Sequence, residues 1–184
     1  IVHKVKHNTK RLITSIKWVI FSIVVGIVAG SCGTAFYFAL SVVTDFRMKY
    51  PWLIYFLPIG GLAIVGLYHL CKDDNDTGTN LVISAIHSGD KVPFIMAPLI
   101  FVSTLITHLF GGSAGREGAA LQMGGSIGSS IGRVFRFDEK DKHVMIMCGM
   151  SAAFSALFGT PMAAAIFSME MISVGVMYLS LIHI

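Results

Sequence analysis

The chain has 184 residues, 54% of them hydrophobic and 13% charged, with a mean hydropathy of +0.74. Soluble domains are about a quarter charged, so this composition excludes an ordinary soluble domain and describes a chain built for lipid. The net charge of +4 is read as a topology signal. Nucleic-acid binding would need a solvated basic surface, and little of the chain is polar enough to form one.

Residues 1–11 read as a mobile basic cytoplasmic tail, and 12–184 as a transmembrane domain. Uncharged stretches at 18–44, 51–70, 92–115 and 144–169 reach the length of about 20 apolar residues that a spanning helix needs. The first is too long and unbroken for a signal-peptide core. Lys4, Lys6, Lys10, Arg11 and Lys17 precede it, and such an excess of cations places that end in the cytoplasm.

A first helix is expected over 12–46, where Gly26, Gly30 and Gly33 share nearly one face and allow close helix approach. A second is expected over 54–71. A polar break follows at 72–80 with Asp73, Asp74, Asp76 and Gly78, then an apolar piece at 81–86 too short to cross a membrane. The next helix spans 93–110. Segment 111–132 is rich in glycine and serine but keeps Leu121, Met123, Ile127 and Ile131. A mixed-charge loop at 133–143 precedes short apolar helices at 144–157 and 161–172, divided by Phe158, Gly159, Thr160 and Pro161. A further hydrophobic segment begins at 174.

Cys32, Cys71 and Cys148 have no metal-ligand spacing and read as small buried residues. The seven histidines form no cluster, so no metal and no cofactor are expected. Phe154, Phe158 and Phe167 read as core or dimer-interface aromatics. The fold class is all-α: a polytopic transmembrane helical protein with broken and re-entrant helices. Irregular backbone survives at membrane depth only where protein buries it or water lines it. Half-helix N-termini at such breaks favour an anion through free N–H groups and the helix dipole.

The central constellation runs from Gly111 to Gln122 and contains Gly115, Arg116, Glu117, Gly118 and Ala119. A charge at mid-membrane costs about 2.5–3.5 kcal/mol on insertion scales, so an acidic residue there is a functional candidate. The bland alternative is a salt bridge to Arg116 or a carboxylate capping a helix start. Adjacent helical residues do not face each other, which weakens the ion pair. Glu117 is expected to begin a helix. Ionised, it occupies the place a permeating anion would take; protonated, it frees that place. The helix dipole and Arg116 favour the charged form, whereas desolvation and a bound anion favour the neutral one. Those opposed effects allow proton uptake to be linked to anion occupancy.

At Gly115-Arg116-Glu117-Gly118-Ala119 and the following Leu121-Gln122 the sequence resembles the CLC family of anion channels and proton-coupled anion transporters. The resemblance continues through residues 151–161 and through Phe167-Ser168-Met169-Glu170. It implies the first inverted repeat of the CLC fold. It also implies a halide (fluoride or chloride) and protons as the transported partners, a homodimer in the lipid bilayer of the cell membrane, and a C-terminal half that completes the anion path. Chloride members carry G-S-G-I-P ahead of the gating glutamate. Here the matching stretch includes Thr77, Gly78, Thr79 and Asn80, and Ala119 stands where proline is usual. Both departures resemble the fluoride/proton antiporter branch, with Thr77 at the serine position. Thr77, Gly78, Thr79, Asn80, Gly115, Arg116, Gly118 and Ala119 are therefore the implied anion-binding residues. Hydroxyls, amides and backbone N–H groups can replace the water of a small anion. The internal glutamate of many proton-coupled members maps to Met171, which carries no proton, and Glu170 is expected to pack at a helix end with a hydrogen-bond partner.

Two other readings fit parts of the sequence. A passive CLC chloride channel uses the same pathway without proton coupling. An intramembrane serine hydrolase would use Ser113 or Ser126, since both sit in G-x-S-x-G strings, with His108 or His183 as base. The nucleophile elbow needs a preceding strand, whereas the preceding segment is helical in length and composition. No nucleotide-binding glycine motif occurs.

Overall fold

The computed structural model describes residues 2–71 and 92–171, with side chains from residue 14 onward. Helix α1 spans Val2–Lys49, a 3-10 turn covers Pro51–Phe56, and α2 runs over Leu57–Leu70. Helix α3 is Met96–Leu109, α4 is Arg116–Val134 and α5 is Glu139–Phe158. Residues 161–171 are helical again and are called α6. Among the described residues there is no strand, in agreement with the all-α expectation.

Helix α1 begins at Val2, so the backbone of 2–11, expected as a tail, continues the helix. Thr14–Lys49 and Pro51–Leu70 are long and apolar enough to cross a bilayer. Their side chains face outward. Leu62 and Val65 on α2 are 73% and 66% exposed, and Ile23, Ile27, Phe38 and Val42 line the outer face of α1. An apolar belt of this extent is not left to water in a soluble monomer and suits a cover of lipid or of further protein.

The inner face of α1 follows the helical period, with Val25, Ala29, Phe36 and Leu40 buried. Of the three glycines expected to permit close approach, only Gly33 does so among the described residues. A Cβ there would stand 2.8 Å from the Ala153 carbonyl oxygen on α5, whereas Gly26 and Gly30 face open space.

Helix α4 is the centre of the bundle, packed by α1, α3 and α5. The run from Ala119 to Ser129 is buried without a break. Glycine costs about 1 kcal/mol relative to alanine in a helix interior, and here that cost is offset by contact. Gly124 and Gly128 lie one turn apart and meet α5 backbone to backbone, Gly124 at Gly149 and Gly128 at Met145. A Cβ at any of these glycines would collide with a main-chain oxygen that cannot yield. The glycine-rich stretch is therefore a tightly packed helix, and the mixed-charge loop shrinks to the turn between Val134 and Glu139.

That turn is pinned to α1 around Lys17, Trp18 and Phe21. Phe137 stands 4.6 Å from Phe21 and 6.1 Å from Trp18, and the Lys17 ammonium lies 4.5 Å above the Phe137 ring. Lys17 also reaches Asp141 at 3.2 Å. The turn closes α4 with Phe137 N–H donating to Gly132 O and Arg136 N–H donating to Arg133 O. Arg136 occupies the left-handed position (φ 52°) where glycine is usual. At the entry to α3, the Ser126 hydroxyl donates to Pro93 O at 2.7 Å and Arg133 donates to Val92 O at 2.8 Å.

If backbone contact holds α4 to α5, Gly128→Leu should lower stability by at least about 1–3 kcal/mol, read as thermal unfolding in detergent. Gly61→Ala, where nothing stands within 4 Å, should be neutral or stabilising by up to ~1 kcal/mol.

Candidate functional site

The segment between α3 and α4 is shaped by a helix stop. Gly112 N–H donates to Thr107 O at 2.8 Å and Gly111 N–H to His108 O at 3.1 Å, while Gly111 takes φ 81°. This pair of bonds is the usual glycine-closed helix end. The Arg47 guanidinium from α1 covers Gly111, so that a Cβ there would lie 2.9 Å from its Nε. Leu57 and Thr107 crowd Gly112 in the same way.

Beyond the stop the chain extends to Gly115 (φ −70°, ψ 116°), which precedes α4 without a side-chain cap. The first α4 amide with a backbone acceptor is Ala119, donating to Gly115 O at 3.4 Å. The amides of Arg116, Glu117 and Gly118 thus form the free donor end of a helix. Glu117 lies in the first turn, as expected from sequence. Its side chain is exposed and, among the described residues, has no hydrogen bond or ion pair. The alternative of an Arg116–Glu117 salt bridge is not what the geometry gives. Arg116 instead turns toward α1, where it lines a cavity of about 170 Å³ with Tyr37, Ser41, Thr44 and Asp45.

Gly115, Arg116, Glu117, Gly118 and Ala119 are therefore brought together at one helix start, with Ala119 buried below it. Thr77, Gly78, Thr79 and Asn80 lie outside the described residues, as do the apolar piece at 81–86, the segment from 174 and His183. The α4 start sits beside the far end of α1 from Lys17, so α4 runs antiparallel to α1. Asp45 and Arg47, which line this region, carry little signal in the sequence. Their only signal there is that they follow directly on the uncharged stretch 18–44.

Glu170 does not pack as expected: it is exposed and, among the described residues, has no hydrogen-bond partner. Met171 packs against the core, and Phe154 and Phe167 contact each other at 5.1 Å beside it. The cysteines are half-buried and unbridged. Among the described residues no group of His, Cys, Asp or Glu could hold a metal. Among the described residues the hydrolase geometry is missing. Ser126 is buried inside α4 and bonded to Pro93 O, Ser113 follows a helix, and His108 Nδ1 is 2.9 Å from Thr104 O of its own helix.

The profile of the family described as voltage gated chloride channel matches residues 60–184. The chain belongs to this CLC family. Among its relatives, a chloride/fluoride channel protein of Pseudomonas syringae pv. tomato is 41% identical over 160 residues, which cover 86% of this chain and 35% of that protein. An H(+)/Cl(-) exchange transporter ClcA of Vibrio campbellii is 28% identical over 172 residues, covering 85% of this chain and 37% of that one. Among solved structures, a CLC-type fluoride/proton antiporter superposes with a TM-score of 0.76 at 41% identity, covering 82% of this chain and 38% of that chain. The chain thus spans little more than a third of the length of these relatives. Membership in this CLC family, whose members are transporters, speaks against the hydrolase. A fluorophosphonate probe should leave Ser113 unlabelled, as read by mass spectrometry of the treated protein.

Proposed function

We propose that this chain forms the glutamate-bearing part of a CLC-type anion pathway, with Glu117 as gate and proton carrier. The observation that carries the reading is an unpaired carboxylate in the first turn of an uncapped helix that runs through the bundle centre. Free N–H groups and the dipole at that end attract negative charge. An ionised Glu117 competes with a halide for them, and protonation withdraws the competitor.

Fluoride exchanged for protons is the transport reaction proposed. Support comes from the chloride/fluoride channel protein and the fluoride/proton antiporter, each 41% identical, against 28% for the H(+)/Cl(-) exchange transporter. Thr77, Gly78, Thr79 and Asn80 are assigned to anion binding by family resemblance, alongside the α4 amides from Gly115 to Ala119. Transport involves a further part of the protein equivalent to the remainder of the relatives, and a homodimer in the cell membrane. The cytoplasmic face is assigned to the end of the bundle carrying Lys17, Arg133, Arg136, Lys140 and Lys142, together with the cations before residue 12, because cations are retained on that side.

Two measurements on the full-length protein in liposomes test this. Glu117→Gln or Glu117→Ala should abolish proton movement while passive anion flux continues; coupling that persists in either variant removes the gating role. Fluoride efflux should exceed chloride efflux by about tenfold or more, on the scale of one to two kcal/mol of discrimination; equal rates would leave a general halide pathway instead.

A further inference from the structure

The cavity beside the α4 start is lined by a cation, an anion and hydroxyls, although it is built mostly from a helix with an apolar outer face. Arg116 comes from the first position of α4, and Tyr37, Ser41, Thr44 and Asp45 from the α1 segment that runs past it. At about 170 Å³ the space holds a few waters. Arg116 and Asp45 both line it without forming an ion pair, and neither is paired elsewhere among the described residues. Arg47, one turn-fraction beyond Asp45, is directed away to the Gly111 corner. Asp45 is thus the acidic group that shares a cavity with Arg116.

We infer that Asp45 is a positioning residue for the gate: through this cavity it holds Arg116 against α1 and keeps the guanidinium away from Glu117. The inference rests on Glu117 being the gate. Opposite charges attract whichever partner is nearer and less screened. With Asp45 in place, Arg116 has a carboxylate on the α1 side, and Glu117 is left free to move and to take up a proton. With Asp45 neutralised, Arg116 loses its carboxylate on the α1 side, and its long side chain, at the uncapped first position of α4, can swing back over the helix end to Glu117; pairing would hold the gate in its ionised, blocking state. The hydroxyls of Tyr37, Ser41 and Thr44 complete a polar lining in which a guanidinium can donate several hydrogen bonds.

The experiment is anion flux from liposomes containing the full-length protein, with Asp45→Asn measured in three backgrounds. In the otherwise unchanged protein it should slow flux by roughly two- to fivefold, the range an exposed ion pair supports, and Asp45→Glu should restore it. In the Glu117→Ala background Asp45→Asn should have no effect, because no carboxylate remains to be captured. In the Arg116→Gln background it should also have no effect, because no cation remains to capture one. Equal slowing in all three backgrounds would mean that Asp45 serves folding alone and overturns the inference, as would unchanged flux in the first. Proton coupling that survives Glu117→Ala by itself would instead defeat the gating role on which the inference rests, and is read separately.

Discussion

The approach of α4 to α5 is the constraint on which the rest of the architecture depends. Gly124 and Gly149 meet main chain to main chain, and Gly128 meets Met145 one turn further on. In lipid no hydrophobic force drives helices together, so association relies on close van der Waals packing between small residues. That contact places a glycine- and serine-rich helix in the middle of the bundle, where composition alone would not put it. It also sets the direction in which the start of α4 points.

Everything at the candidate site is downstream of that placement. With α4 wedged among α1, α3 and α5, its first turn emerges beside the far end of α1. The stop at Gly111, covered by Arg47, fixes where the chain leaves α3, and the extended Gly115 starts α4 with its leading amides free. At the opposite end, Lys17 and the aromatic rings of Trp18, Phe21, Phe135 and Phe137 tie the α4–α5 turn to α1. Aromatic rings and cations gathered at one end of apolar helices suit a bilayer interface. The bundle thus has two polar ends, one with Lys17 and these rings, the other with the glutamate-bearing helix start together with Arg47, Lys49 and Arg116.

The polar groups inside the bundle are handled economically. Ser103, Thr107 and Ser168 donate to carbonyls of their own helices, and Ser126 closes a bond across to Pro93. A buried hydroxyl without an acceptor would cost about 1–3 kcal/mol. Serine therefore fits α4 because it is small enough for the packing and has an acceptor within reach. Glu117 differs from these residues in having no such partner among the described residues, which is what an exchangeable carboxylate requires.

The sequence by itself determined the solvent, the helical class, the family resemblance and the helix start at Glu117. Runs of uncharged residues, helix punctuation and a short motif are all local, and local chemistry suffices to read them. It located the helix start at Glu117 but not the backbone contacts that the glycines after it make with α5, and it weighted Gly26 and Gly30 equally with Gly33 although they meet nothing within 4 Å among the described residues. Which glycine meets a neighbour depends on helix rotation, and rotation is fixed only when α1, α4 and α5 pack together. The same holds for Arg116 and Asp45, far apart in sequence yet lining one cavity. Their meeting follows from the antiparallel course of α1 and α4, a relation between distant segments that no local pattern encodes.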